Sequence, residues 1–228
     1  MADESIDTLK TTLRRFCIAV IFSIAFGYIE AAVVVYLREI FHPEGFTFPL
    51  TIFPIDPVSK RLFLTEIGRE ASTLVLILTG AWLFGRNLRQ RVAYFLTIFA
   101  VWDIFYYVWL KVLLNWPASL MDWDILFLIP ISWASPVLAP VMVSVVMLCF
   151  AIVILYRDSL GRPIKTCFFD WMVFSLAAVI IVVSFCIPGS HVADKDYHAY
   201  FYWPLFAAGL LFAVLVFVKC LIKSGRKE

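Results

Sequence analysis

ILFLIPISWASPVLAPVMVSVVMLCFAIVILY, residues 125–156, is a run of 32 residues without a single charged side chain. As one straight helix it would be about 48 Å long at about 1.5 Å per residue, far more than a hydrocarbon core of about 30 Å needs. It must therefore be divided. Pro130, Pro136 and Pro140 all fall in its first half, and each removes a backbone donor and disfavours helix at the residue before it. The pattern predicts a short outer helix or re-entrant piece over about 124–133, followed by a crossing helix over 136–156. Two short crossings would be the other way to divide it.

Working outward, five more apolar runs have the length of a crossing: 16–37, 62–84, 92–114, 168–187 and 200–222. The fold class is therefore an all-α, polytopic transmembrane helical bundle of six spans, or seven if residues 125–156 cross twice, with the fourth segment broken by proline near the outer face. Composition agrees: 63% of side chains are hydrophobic and 16% charged, with a mean hydropathy of +0.91, against roughly a quarter charged in soluble domains. A net charge of +2 without any run of like charges offers no basic face and excludes nucleic-acid binding as a main role. No loop is long enough to bury a core of its own, so residues 1–228 form a single transmembrane domain. No repeat relates the first three spans to the last three, which weakens an inverted-repeat transporter reading.

Short loops rich in Lys and Arg stay in the cytoplasm. With six spans both termini share a side, and that side carries Lys10, Arg14, Arg15, Arg86, Arg89, Arg91, Arg157, Arg162, Lys165, Lys219, Lys223, Arg226 and Lys227, 13 of the 19 cations. Both termini are expected inside, in a cell inner membrane. The first run is expected to be retained, since it is too long for an export-signal core and follows Asp3, Glu4 and Asp7. The five cysteines show no paired metal spacing, and no intramolecular disulfide is expected. The connection over 38–61, with Pro43, Pro49, Pro54 and Pro57 among phenylalanines, reads as an irregular flap on the outer interface. Trp102, Trp109, Trp116, Trp123 and Trp133 read chiefly as interface anchors.

Ionisable groups within spans are costly, about 2.5–3.5 kcal/mol each at a helix centre, and so mark functional positions. Glu30 interrupts the first span, Glu66, Arg69 and Glu70 the second, Asp103 and Lys111 the third. Counted from the cytoplasmic arginines at about 1.5 Å per residue, Glu30, Asp103 and Glu70 lie roughly 22, 18 and 24 Å up, between the midplane and the outer surface. Glu66, Asp122 and Asp124 fall at the outer boundary. Arg69 relieves the repulsion between Glu66 and Glu70, four residues apart on one face; Tyr106 and Tyr107 share a face with Asp103; and Glu30 needs a partner from another helix, Arg69 or Lys111. Asp170, near the cytoplasmic edge, reads as interfacial.

The binding pocket read from the sequence thus comprises Glu30, Glu66, Arg69, Glu70, Asp103, Lys111 and Asp124. Three roles fit it. One is a buried ion-pair network fixing helix registry, as in a structural subunit of a membrane complex. Another, the working reading, is a site open to the outer face that binds or translocates a cation, protons or a small polar solute. The third is a membrane-embedded enzyme acting on a lipid or lipid-linked substrate, with carboxylates as acid and base or as ligands of a divalent cation. Mg²⁺ would suit the carboxylates alone, whereas Zn²⁺ would recruit His191 or His198 from the outer loop. No metalloprotease, phosphate-loop, nucleophile-elbow or Cys-x-x-Cys motif is present.

Overall fold

In a computed structural model, residues 2–50 and 57–225 are described. Six helices carry most of the chain: α1 (Ala2–Phe41), α2 (Pro57–Phe84), α3 (Leu88–Leu114), α4 (Leu138–Ser159), α5 (Phe168–Gly189) and α6 (Trp203–Gly225). Each is long and apolar enough to cross a membrane, and a helix satisfies its backbone donors internally, as a lipid setting requires.

Local chemistry sets the boundaries. α1 begins well before its apolar run because nothing in residues 2–15 breaks a helix, and it ends at Phe41, just ahead of Pro43. Pro57 opens α2, where its missing N–H costs nothing. Asn87 caps α3 by accepting from the Gln90 N–H at 3.0 Å, and Asn115 closes it in the left-handed region at φ 53°. α5 starts with a capping box in which Asp170 reaches back to the Cys167 N–H at 2.9 Å.

Of the short helix or re-entrant piece expected over 124–133, the segment before α4 does not form the helix. It is an antiparallel hairpin, β1 (Trp123–Phe127) paired with β2 (Trp133–Pro136), with Asp124 opposite Ser135 and Ile125 opposite Ala134. Pro130 lies in the turn and Pro136 at the end of β2, so helix is blocked on both arms; pairing the strands then supplies the partners that a buried backbone needs. The bundle is therefore not wholly α, and residues 125–156 contribute one long helix, not two.

α3 is central, packing on α1, α2 and α4. Gly27 lets α1 and α3 approach: a Cβ there would stand 3.1 Å from the Trp102 carbonyl oxygen. α5 and α6 pack mainly on each other and meet the rest through β2 and a thinner contact with α4, where the Phe150 and Phe217 rings stack at 4.0 Å. The hairpin bridges the two bodies. Phe127 on β1 joins the cluster of Phe26, Ile98 and Trp102, while Trp123 and Ala134 join that of Ile181, Phe185, Phe201 and Phe206. At the end of α5, Gly189 lies so close to the Ser132 carbonyl that a Cβ has no room.

The described part of the 38–61 connection folds over this hairpin end. Phe46 packs on Trp116, Phe48 on Trp123 and Tyr197, and the Leu50 N–H donates to the Val192 carbonyl at 2.7 Å. Phe53 and Pro54 of the expected flap lie outside the described residues.

Candidate functional site

Each helix delivers its polar groups along one stripe. Glu66, Arg69, Glu70 and Thr73 recur at i, i+3, i+4 and i+7 on α2, and Asp103, Tyr106 and Tyr107 do so on α3. The helix packing turns both stripes, together with Glu30 and Arg38 of α1 and Asp124 of β1, toward one cavity of about 1460 Å³.

Two ion-pair centres hold the hairpin end of this cavity. Arg69 bonds both Glu30 and Glu66, its Nε donating to Glu66 Oε1 at 2.5 Å, and Thr73 Oγ1 donates to Glu30 Oε1 at 2.7 Å. Across the cavity Arg38 Nη2 meets Asp124 Oδ1 at 3.1 Å, and the Tyr106 hydroxyl donates to Asp124 Oδ2 at 3.4 Å. Arg38 is further clasped between the Phe46 and Trp116 rings, 4.0 and 3.8 Å from their centroids. Burial and then the Arg38 charge hold the neighbouring His42 below its ordinary pKa.

Two carboxylates are handled differently. Glu70 accepts from the Leu128 backbone N–H at 2.8 Å, and Asp103 from the Ser144 hydroxyl at 2.7 Å. Neither has a cation within ion-pairing distance among the described residues. The cavity wall thus carries the carboxylates of Glu30, Glu66, Glu70, Asp103 and Asp124 against the guanidiniums of Arg38 and Arg69. Lys60, Arg89 and Lys165 also line the cavity, in the first turn of α2, the first turn of α3 and the segment before α5.

Of the residues read from the sequence as a pocket, Glu30, Glu66, Arg69, Glu70, Asp103 and Asp124 line the cavity together. Lys111 does not join them: its Nζ is exposed and donates to the Asn115 and Pro117 carbonyls at 3.2 and 3.0 Å, capping the end of α3. The second cation of the layer is Arg38, missed because the first apolar run was ended at Leu37; its position eight residues, about two turns, beyond Glu30 on the same helix was the available signal. Tyr106 serves Asp124, not Asp103. Ser144 and Thr73 carried no signal in the sequence.

Asp170 lies in the first turn of α5. It is fully buried, accepting from Cys167 and from Lys219 Nζ at 2.8 Å, so α5 and α6 are tied at the end opposite the hairpin. His191 is engaged locally, its Nδ1 2.8 Å from Asp194 and its ring stacked on Tyr200, while His198 is exposed against Tyr197. Among the described residues no three His, Cys, Asp or Glu side chains stand close enough to hold a metal ion. No family model, curated protein or solved structure matches the chain.

Proposed function

We propose that the chain is a multi-pass protein of a cell inner membrane, both termini cytoplasmic, whose carboxylate layer opens toward the outer side and binds or passes a cation or a protonated solute. The charge bias of the loops supports the orientation, with 13 of 19 cations at the end that holds the termini. One observation carries the functional reading: Glu70 and Asp103 face the cavity with only neutral donors to satisfy them.

A carboxylate shielded from bulk water with only neutral hydrogen-bond partners is costly, and a proton or a cation reduces that cost. A network serving helix registry alone accounts for Arg69 with Glu30 and Glu66 and for Arg38 with Asp124. It leaves Glu70 and Asp103 without purpose, because neutral amides would hold the same hydrogen bonds at lower cost.

The test is an ion or pH step applied to vesicles containing the purified chain. The wild type is expected to respond, and Asp103→Asn to stay folded, by an unchanged elution profile, while the response disappears. An Asp103→Asn protein that responds like the wild type would overturn the reading.

A further inference from the structure

The cavity does not end at the carboxylates. Below them it continues between α3, α4, α5 and α6, walled by Val92, Phe95, Phe99, Phe150, Phe174 and Phe217. From Asp103 to Val92 along α3 is eleven residues, about 16 Å at 1.5 Å per residue, which is the length of hydrocarbon chain in one leaflet of a core about 30 Å thick. A site for a bare ion or a small solute has no use for such a groove.

A second observation points to the occupant. Trp102 and Trp133 form part of the cavity wall, and their indole N–H groups are buried without an acceptor among the described residues. Trp102 is only 7% exposed. Both indoles pack on Phe127 of the hairpin, so two orphaned donors stand beside the carboxylate layer. An occupant that satisfies the whole wall offers positive charge to Glu70 and Asp103, an oxygen to the indoles and an apolar chain to the groove; aromatic faces favour an ammonium further. At the carboxylate layer an anionic head is disfavoured, because Arg38 and Arg69 are already engaged by carboxylates; the other lining cations, Lys60, Arg89 and Lys165, belong to other turns of the wall.

We infer that the ligand is a long-chain lipid whose head carries an ammonium group and a nearby hydroxyl or ester oxygen. Its ammonium lies in the carboxylate layer to which Glu70 and Asp103 belong, its oxygen faces the Trp102 and Trp133 indoles, and its chain runs down the groove toward Phe217. This rests on the reading of the carboxylate layer as a cation site and names what the cation belongs to.

Three compounds test it on the full chain in neutral detergent, with thermal unfolding as the readout: 2-(dodecylamino)ethanol, 2-(methylamino)ethanol and dodecanol. The long amino alcohol is expected to raise the midpoint at a concentration at least about a hundredfold below that of the short one, since every buried methylene adds to transfer from water. Dodecanol is expected to give a much smaller shift. In Asp103→Asn or Glu70→Gln the long amino alcohol should fall to the level of dodecanol, and in Ala178→Phe, which fills the groove, to the level of the short amine. Equal potency of the two amino alcohols on the wild type would overturn the lipid assignment and leave the cation site standing. Dodecanol as potent as the long amino alcohol would overturn the cation site, and no shift with any compound would overturn both. These three outcomes need no variant.

Discussion

Arg38 and Asp124, separated by 86 residues in the chain, meet as a buried ion pair at 3.1 Å, with neither side chain more than a tenth exposed. The pair fastens the last turns of α1 to the first strand of the hairpin. Its surroundings leave little room for substitutes, because Phe46 and Trp116 close over the guanidinium. Removing one partner strands the other charge.

Arg38→Met is accordingly expected to destabilise by about 3 kcal/mol, the cost of leaving a buried carboxylate unpaired. The double variant Arg38→Met with Asp124→Asn should recover at least half of that loss. Unfolding midpoints in one detergent check both values; a double variant worse than the single by the full cost of Asp124→Asn would mean the two residues act independently.

Arg69 serves two carboxylates at once, so Arg69→Ala should cost more than either Glu66→Gln or Glu30→Gln. Among the two glutamates the buried Glu30 should matter more than Glu66, since it also receives the Thr73 hydroxyl. The order Arg69, Glu30, Glu66 in lost thermal stability is the measurable result.

Gly189→Ala places a methyl group against the Ser132 carbonyl at the seam of α5 and the hairpin. Forcing atoms into a filled space costs about 1–3 kcal/mol, and Ser190→Ala next to it, at an exposed position, should be nearly silent. Equal midpoints for the two variants would show that the seam yields freely.

Orientation can be read with thiol labelling. In sealed right-side-out vesicles an impermeant maleimide should label Lys195→Cys in a cysteine-free background and spare a variant retaining only Cys167, which is exposed at the opposite end of the bundle. The reverse pattern would invert the proposed topology.

How much of this was legible in the sequence follows from what each signal encodes. Six runs of apolar residues report the length of a crossing directly, and each overlaps a helix long and apolar enough to cross a membrane. Pro130 and Pro136 reported that helix is blocked ahead of α4, whereas Pro140 sits in the first turn of α4. They could not report what replaces it, because hairpin pairing depends on partners supplied by α5 and α3. The depth count brought Glu30, Glu70 and Asp103 to one level, and they line one cavity. Lys111 entered as a counter-ion for Glu30 and not by depth; eight residues beyond Asp103, it sits in the last turn of α3 and caps that end. Arg38 was hidden because a charge at the end of a long helix reads as a boundary until another element folds over it.

The hairpin that joins α5 and α6 to the other four helices also determines how the molecule can yield. α1, α2 and α4 knitted around α3 resist distortion, whereas the remaining two helices are moored chiefly by β2 and a thin contact with α4. A guest wedging itself between them should swing the outlying pair as a unit, pivoting where Gly189 touches Ser132, and amide exchange should quicken along β2 before it does along α3. The doorway and its hinge would then be the same short loop.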